Sequence, residues 1–565
     1  MNRVETNGKN NSWVKTVSIP PPTLGNNTAD ADRLIAALKG QLKTGTIDID
    51  PAVLKKLPDC LRNWDYNLHC VLFRDKKRWV LTGIKSIQGS APFAGMAVDL
   101  GTSRIALRLL DLTTAKVMAE SSFDNPQMAI GPDILERIHF ADQEEGLEKL
   151  NKLIIDGLNQ MIEKLCASCN LKPDDVNLIS IAGNTAMTHL FMCLNPHWII
   201  REPYIPVINK PGLVRAKDLG IRVNPAAGVF IFPNIGSYFG GDLIAGILFS
   251  GMNKMKNTAI LVDVGTNAEV VLGNKNWLIG CAGAAGPALE GGVSKMGMMA
   301  GPGVIDKISI NPKTQGFKIH TIGNKPPKGI CGSGVIDLAS HLFLSGMIDI
   351  RGKLLPAVCK DKIKNIAGIL HLVVVPAEKS STGSDLTISQ ADLDSLIRSK
   401  AAMYTILETI TSSVGMSPGD LTTFFVAGTF GSFINPVSAI SIGMLPDLPA
   451  NVYKSLGNSS LGGATLLLTS NDSYEEIDKI RDRITYLELN VNQEFMNRFS
   501  AAKFLPHQQN SFPILIFLFF HLLKYDVDRA SFKTFQFEVC AYLFKVKEGE
   551  NFNQRNTCSI SRIKI

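Results

Sequence analysis

The chain has 565 residues, of which 45% are hydrophobic and 19% are charged, a balance typical of globular proteins. At this length we expect several domains with substantial apolar cores. The 58 basic and 51 acidic residues leave a formal net charge of +7, and no run of lysine or arginine stands out. Nucleic acid is therefore not indicated as a partner.

The sequence also predicts no membrane association. The N-terminal residues lack the apolar core of a secretion signal. The longest lipid-like run covers residues 512–523 and is interrupted by His521. It is shorter than the roughly 20 residues that a spanning helix needs. We therefore expect a cytoplasmic protein.

The predicted elements begin after a polar, proline-containing N-terminus, and we expect disorder over residues 1–30. Residues 31–92 contain one short helical pattern and two strand-like runs, which predict a small α+β domain. Strands and helices then alternate over residues 93–257 and again over residues 258–507, as in α/β proteins. The tail, residues 508–565, is atypically rich in phenylalanine.

One motif opens each of the two long α/β segments. Residues 97–104 read AVDLGTSR and residues 261–268 read LVDVGTNA, in each case an apolar strand, an Asp-x-Gly-Thr turn and a second hairpin arm. A glycine there lets backbone N–H groups approach a phosphate, and the aspartate can hold Mg²⁺ through water. One copy is common by chance, and two ordinary hairpins are the alternative. Two copies at domain spacing favour two related halves that face one nucleotide.

Four strand-end positions mark where a ligand would bind, because ligands of α/β folds lie at the carboxyl ends of strands. These positions are Asp99 and Gly183 in the first half, and Asp263 and Gly428 in the second. Their convergence predicts one cleft between two lobes.

The motifs resemble those of the superfamily of acetate and sugar kinases, heat-shock chaperones and actin. AVDLGTS is similar to its first phosphate loop, LVDVGTNAEVVLG to its second, and FFVAGTFGSFI to its adenosine-binding turn. The resemblance implies an α/β fold with two ribonuclease-H-like lobes around a nucleotide cleft. A small N-terminal α+β domain would precede the lobes.

A narrower resemblance is to the reductive activators of corrinoid proteins. It rests on strings that occur in order over residues 31–507, among them NPQ, GNTAMTHL, PYIP, AAGPALEGG, GMMAGPGVI, GICGSGVID and LGNSSLGGA. The resemblance implies an ATPase that uses ATP and Mg²⁺ to return an inactive Co(II) corrinoid to Co(I). The corrinoid would sit on a separate corrinoid protein of a methyltransferase system. A small-molecule kinase and an ATP-switched binding protein are the alternatives on this fold.

The chain departs from that family in two places. Its relatives often carry a terminal iron–sulfur domain, whereas the only close cysteine pair here is Cys166 and Cys169, at the end of an amphipathic helix. We expect no iron–sulfur cluster in this chain and an external low-potential electron donor, although two cysteines from each chain of a homodimer could share a cluster. The Phe-rich tail matches no known pattern, and a frameshift is favoured over a partner-binding segment.

The two loops and the resemblance together assign candidate site residues. Asp99 and Asp263 are expected to bind Mg²⁺ and act in catalysis, and Glu269 and Glu290 to order the attacking water or the metal. The phosphate and adenosine contacts are assigned to Gly101, Thr102, Ser103, Gly265, Thr266, Asn267, Gly428, Gly431 and Gly457. Strand-end capping, turn geometry and solvated loop glutamates are the structural alternatives.

Three further residues raise the question of redox chemistry or cobalt ligation. Cys331 lies at a glycine-rich turn, and His189 and His139 lie in helical patterns. Packing in the core is the favoured interpretation for all three.

Overall fold

A computed structural model describes residues 12–42, 46–75, 78–89, 92–265, 267–284, 295–311, 314–428, 434–489 and 493–506. Within these ranges the strands are β1 Val14–Ser18, β2 Ile47–Ile49, β3 Asn67–Asp75, β4 Arg78–Ser86, β5 Ala94–Leu100, β6 Arg104–Asp111, β7 Val117–Asp124, β8 Val176–Gly183, β9 Gly212–Arg215, β10 Gly228–Ile231, β11 Ala259–Val264, β12 Asn267–Gly273, β13 Leu278–Ala284, β14 Val304–Ile310, β15 Phe317–Thr321, β16 Gly329–Ile330, β17 Ile363–Ile366, β18 Ile369–Val375, β19 Leu386–Ser389, β20 Thr423–Ala427, β21 Tyr453–Gly457 and β22 Ile484–Tyr486. The α-helices are α1 Asp30–Leu42, α2 Pro51–Leu54, α3 Leu57–Asn63, α4 Ile134–Ala141, α5 Gly146–Ser168, α6 Thr185–Phe191, α7 Gly241–Ser250, α8 Gly332–Leu344, α9 Pro356–Cys359, α10 Gln390–Ser412, α11 Pro436–Ser441, α12 Ser459–Thr469, α13 Asp472–Arg483 and α14 Gln493–Ala501.

The N-terminal region folds around a four-stranded sheet of order β1-β3-β4-β2, against which α1 packs. The expected disorder over residues 1–30 is wrong for Val14–Ser18, which pair antiparallel with β3. The physical reason is burial: Trp13 is fully buried and stacks on Phe73 at 4.4 Å between ring centroids. An aromatic anchor of this kind offsets the entropy cost of ordering a polar segment. Residues 1–11 lie outside the described residues, as does the Phe-rich tail.

The first long segment forms a sheet of order β7-β6-β5-β8-β10-β9. The first motif is the hairpin β5–β6, and β8 and β10 continue the sheet parallel to β5. The amphipathic helix α5 covers one face of this sheet with its buried residues, among them Ile154, Leu158 and Leu165. The predicted helix, ending at the pair Cys166 and Cys169, is therefore confirmed.

The second long segment builds a sheet of order β21-β20-β11-β12-β13-β22. The second motif is the hairpin β11–β12, with β13 antiparallel beyond it and β20 and β21 parallel to β11 on the other side. In both segments the first three strands form an antiparallel meander, and two later strands extend it parallel to the first. The repeated motif thus heads a repeated topology.

Two helices, α7 and α12, pack closely against each other between the two sheets. Although α12 belongs to the second segment, it contacts β5 and β8 of the first sheet. A single apolar cluster includes Leu243 and Ile247 of α7, Leu461 and Leu467 of α12, and strand residues of both sheets such as Phe230, Leu261 and Phe425. The two segments therefore share one core, and the sequence boundary at 257/258 does not separate their packing.

The remaining part of the second segment lies between β13 and β20. It contains two three-stranded sheets, β15-β14-β16 and β17-β18-β19, together with α8 and the long helix α10. None of the described helices is long and apolar enough to cross a membrane.

Candidate functional site

The first Asp-x-Gly-Thr turn follows β5 and is supported from behind by two asparagines. Asn125 donates from its side chain to the carbonyl oxygen of Gly101 (3.0 Å), and its backbone N–H donates to that of Ser103 (2.9 Å). Asn184 donates to the Thr102 hydroxyl (3.0 Å) and caps α6. A Cβ at Gly101 would lie 2.2 Å from a backbone carbonyl oxygen, so only glycine fits the turn. These contacts hold the backbone of residues 101–103 in one conformation.

The second turn follows β11 in the same way. Asp263 is the register partner of Ala427 on β20 and of Glu269 on β12, so Asp263 and Glu269 leave the same face of the sheet. Gly428 closes this edge, because a Cβ there would lie 2.8 Å from a carboxylate oxygen of Asp263. Gly265 is part of the turn. Thr266, Glu290, Gly431 and the side chain of Asn267 lie outside the described residues.

The N-terminus of α12 joins the two turns. Asn458 donates to Asp99 Oδ2 (2.7 Å) and Ser460 donates to Asp99 Oδ1 (2.8 Å). Ser459, between them, donates to Asp263 Oδ2 (3.4 Å). Three consecutive residues of the second segment therefore contact both motif carboxylates, and the sequence prediction that the two turns face one place is supported by these contacts. The string LGNSSLGGA contained these residues, but sequence reasoning selected only its first glycine.

A third carboxylate, Asp242 at the first turn of α7, was missed by sequence reasoning. Burial raises its pKa to about 7, with further increases from the charges of Asp263 and Asp99. The pKa of Asp263 is raised to about 7 by burial and by the charge of Asp99. Burial also raises the pKa of Asp99, against the hydrogen bonds from Asn458 and Ser460. A Cβ at Gly240 would lie 2.4 Å from Asp242 Oδ1 and 2.5 Å from the Cα of Asn184, which supports the first turn, so Asp242 lies near that turn. We call Asp99, Asp242 and Asp263 the acidic cluster.

Close packing of α7 and α12 creates this cluster. A Cβ at Gly463 on α12 would lie 2.1 Å from the carbonyl oxygen of Ala245 on α7, and a Cβ at Gly246 would lie 2.9 Å from the Ser459 hydroxyl. Glycine at both positions allows the helix backbones to approach. The approach places Asp242 and the start of α12 beside the two motif aspartates.

Gly428 and Gly457 occupy the ends of the adjacent parallel strands β20 and β21, where Ala427 pairs with Gly457. Both glycines have positive φ angles, 82° and 65°, which residues with a Cβ rarely adopt. The chain can therefore turn sharply at both strand ends. The expected adenosine contact of these residues stays a prediction.

Two of the three residues considered for redox chemistry or cobalt ligation, His189 and Cys331, are packed in the core as expected. His189 is fully buried and uses both ring nitrogens: Nδ1 is 2.7 Å from the Thr185 carbonyl oxygen, and Nε2 accepts from the Val207 N–H at 3.0 Å. Cys331 is buried and caps α8, with its Sγ 3.4 Å from the Ile305 carbonyl oxygen. His139 is exposed, so the expected core packing is wrong for this residue, because α4 buries Arg137, Ile138 and Ala141 instead.

Of the cysteine pair at the end of α5, Cys166 is buried and Cys169 is half-buried. Burial raises the pKa of Cys166 to about 11 and keeps it a thiol at neutral pH. Among the described residues, no group of three or more histidine, cysteine, aspartate or glutamate side chains is arranged to hold a metal ion directly.

The chain matches three family models that together cover most of the described residues. The model for the C-terminal domain of RACo, the ASKHA domain, matches residues 257–515. The models for the RACo middle region and the RACo linker region match residues 94–255 and 8–87. Fold and site thus define a mixed α/β protein with an actin-like ATPase (ASKHA) domain after linker and middle regions.

Two relatives that match most of the chain agree with these family models. RamQ, a corrinoid activation enzyme of Eubacterium limosum, is 30% identical over 464 residues, which make up 80% of this chain and 77% of RamQ. The solved structure of a reductive activator for corrinoid, iron–sulfur protein has 36% identity and a TM-score of 0.82, and the match covers 91% of this chain and 82% of that one. This chain belongs to the RACo family, the reductive activators of corrinoid proteins.

A more distant relative carries a more specific name. The reductase of the Co(II) methylated amine-specific corrinoid protein from Methanosarcina barkeri is 23% identical over 440 residues, 71% of this chain and 75% of the reductase.

Proposed function

We propose that this chain hydrolyses ATP between two ribonuclease-H-like lobes and uses the energy to reduce a Co(II) corrinoid on a partner protein. The chain is a corrinoid activation enzyme by family membership. One electron passes from an external low-potential donor to Co(II), which becomes Co(I). In the coupled reaction, ATP and water become ADP and phosphate. The observation that carries the proposal is the contact of α12 with both Asp99 and Asp263.

The acidic cluster fits a bound Mg²⁺. Burial, and then the charges of neighbouring aspartates, raise the pKa values of Asp242 and Asp263, so a cation beside them would favour their charged forms. Mg²⁺ prefers oxygen ligands and is commonly held by one or two carboxylates, water and the phosphates of a nucleotide. Asp99 and Asp263 would hold it, one from each turn. When bound, the cation neutralises charge on the nucleotide phosphates.

The two turns provide the phosphate contacts in this proposal. Backbone N–H groups of residues 101–103 and 265–267 would donate to phosphate oxygens, with Thr102, Ser103, Thr266 and Asn267 adding side-chain donors. The strand ends at Gly428 and Gly457 would leave backbone on which the adenosine lies, with Gly431 in the same turn. Catalysis of this kind consists mostly of positioning and electrostatic stabilisation.

Asp242 is our candidate for the residue that orients and deprotonates the attacking water. A general base works best when its pKa is near the working pH, and burial with two neighbouring aspartates raises the pKa of Asp242 to about 7. Glu269 remains a candidate for a supporting role, since its side chain leaves the same face of the sheet as that of Asp263. Glu290 stays a prediction.

Coupling to reduction would use motion between the lobes. The N-terminus of α12 contacts Asp99 in the first segment and Asp263 in the second. Hydrolysis of ATP to ADP and phosphate would change the Mg²⁺ and phosphate contacts of both aspartates, and the two segments would then move relative to each other. A corrinoid protein bound to both segments would be displaced by this motion. The electron comes from outside the chain in this proposal.

The proposal is tested by mixing the protein with a Co(II) corrinoid protein, ATP, Mg²⁺ and titanium(III) citrate under anaerobic conditions. The Co(I) absorption band should grow only when ATP is present, and the ATPase rate should rise when the corrinoid protein is added. ADP in place of ATP is the control for nucleotide binding without hydrolysis. Equal Co(I) formation with ADP, or a phosphorylated small-molecule product, would contradict the proposal.

A further inference from the structure

Arg137 on α4 is a buried cation without a carboxylate partner among the described residues. Its side chain is 0% exposed. Its Nε donates to the Gly131 carbonyl oxygen (2.8 Å), and Nη1 contacts Gln127 Oε1 (3.2 Å) and Met187 Sδ (3.4 Å). Burial lowers the pKa of Arg137 to about 10, partly offset by the charge of Asp133, so the group stays charged at neutral pH. A buried charge without an ion-pair partner lowers the stability of the fold, which suggests that Arg137 has a functional role.

The first route from Arg137 leads to the first turn through Gln127. The Gln127 side chain accepts from Arg137 and donates to the Leu150 carbonyl oxygen (2.9 Å). The Gln127 backbone N–H donates to Asn125 Oδ1 (3.0 Å). Asn125 then uses its side-chain and backbone N–H groups on the carbonyl oxygens of Gly101 and Ser103. Arg137, Gln127 and Asn125 are all at most 1% exposed.

The second route runs through Met187. Its sulfur lies 3.4 Å from Arg137 Nη1 and 3.9 Å from Asn125 Nδ2. Its backbone N–H donates to Asn184 Oδ1 (2.9 Å), and Asn184 donates to the Thr102 hydroxyl (3.0 Å). Arg137 therefore lies behind both asparagines that support residues 101–103.

We propose that Arg137 is a positioning residue for ATP hydrolysis, which fixes Gln127 and Met187 so that Asn125 and Asn184 hold residues 101–103 in their phosphate-binding shape. The inference rests on the proposed ATPase function. A guanidinium suits this role because its planar donors contact several acceptors at once from one rigid group. A lysine has the same charge but a single flexible donor group, so it cannot reproduce the three contacts.

The test compares Arg137→Lys with a matched control, Arg33→Lys. Arg33 is also buried, 7% exposed, and donates to backbone carbonyl oxygens, those of Thr28 (2.8 Å) and Pro20 (3.2 Å), in the N-terminal region. We expect Arg137→Lys to lower kcat for ATP hydrolysis by about tenfold or more, since small displacements of a binding group have large effects on rate. Both variants should lower the melting temperature by similar amounts, because each replaces a buried arginine. Arg33→Lys should leave kcat unchanged.

A double-mutant cycle separates positioning from a general loss of stability. If Arg137 acts through Asn125, the effects of Arg137→Lys and Asn125→Ser on kcat/KM should be clearly less than additive in the double variant. Should Arg137→Lys fail to fold, Gln127→Met breaks the same link with a side chain of similar shape and should also lower kcat. Wild-type kcat in Arg137→Lys or Gln127→Met, or strictly additive effects, would overturn the inference. A wild-type chain without ATPase activity would instead overturn the proposed function.

Discussion

At the scale of single residues, the cluster of Asp99, Asp242 and Asp263 dominates the chemistry. All three side chains keep part of their surface exposed, but the surrounding protein and their mutual charges raise their pKa values. The unfolded chain ionises such groups near pH 4. The folded protein therefore binds more protons than the unfolded chain between about pH 4 and pH 7. Its free energy of unfolding must fall as the pH rises through that window.

We predict that Asp242→Asn stabilises the ligand-free protein at pH 8. Asparagine has the same shape without the charge, so the gain should be small below pH 4 and full above pH 7. Allowing for solvent screening, we expect on the order of 2 kcal/mol at pH 8. Urea unfolding at pH 5 and pH 8 measures it, with the exposed Asp174→Asn as control. An equal effect of Asp242→Asn at both pH values would contradict the raised pKa.

ATP hydrolysis should require the aspartates of both turns. We predict that Asp99→Asn and Asp263→Asn each lower kcat for ATP hydrolysis by about a hundredfold or more, because each removes charge from one Mg²⁺–phosphate site. Both variants should keep the fold, because asparagine at position 263 can still accept from Ser459, and asparagine at position 99 can still accept one of the two hydrogen bonds from α12. Steady-state phosphate release gives the rates, again with Asp174→Asn alongside. Wild-type turnover in either variant would show that only one turn serves the nucleotide.

At the scale of elements, α12 is the part that joins the molecule. Its first turn contacts both motif carboxylates, its middle packs on α7, and its last turn accepts a hydrogen bond from Trp13 Nε1 to the Leu467 carbonyl oxygen (2.6 Å). The N-terminal sheet is thereby anchored to the same helix that contacts the acidic cluster. A shift of α12 along its axis would therefore change both its contacts with Asp99 and Asp263 and its hydrogen bond with Trp13.

We predict that Gly463→Ala separates α12 from α7 and impairs both stability and activity. The added Cβ would lie 2.1 Å from the Ala245 carbonyl oxygen, a backbone atom that cannot turn away. We expect a loss of about 1–3 kcal/mol in the free energy of unfolding, typical of overpacking. Since Ser459 and Ser460 move with the helix, kcat should fall as well.

A matched control is Gly40→Ala, in α1, where a Cβ would meet nothing within 4 Å. Alanine has the higher helix propensity, so this variant should be neutral or slightly stabilised. Thermal unfolding and phosphate release on both variants complete the comparison. A Gly463→Ala protein as stable and active as Gly40→Ala would show that the two helices do not need their close approach.

At the scale of the whole molecule, the question is where the electron comes from. Cys70, Cys166 and Cys281 are buried, and burial raises the pKa of each thiol. Thiolates are the form that binds iron. Cys193 is exposed, and Cys60 and Cys169 are half-buried, so the absence of a cluster stays a prediction.

We predict that the anaerobically purified chain contains far less than stoichiometric iron and sulfide. It should support ATP-dependent Co(II) reduction only when a chemical or ferredoxin donor is added. Iron and sulfide assays with an absorption spectrum test the first part, and omission of the donor tests the second. A charge-transfer band that disappears in a Cys166→Ala, Cys169→Ala variant would show a cluster and contradict the prediction.

Much of the fold follows from local pattern. Strand-and-helix alternation, the repeated Asp-x-Gly-Thr turn and the strand ends at Asp99, Gly183, Asp263 and Gly428 are all local properties, because periodicity and turn chemistry act over a few residues. Both motif hairpins and helix α5 accordingly formed where the sequence predicted them. The polar segment around Trp13 is the exception, since its order depends on a partner strand and on Phe73.

The sequence by itself determined the α/β class, the duplicated motif and the family. Only the tertiary structure decided which side chains share one place: Asp242 beside two aspartates distant in sequence, Asn458 and Ser460 across from the first turn, and Arg137 behind it. The physical reason is that charge repulsion, desolvation and hydrogen bonding depend on distances in space. A lone aspartate after two glycines, or an arginine in a short helix, has no local signature of such neighbours. Close packing of α7 on α12 alone brings the acidic residues together.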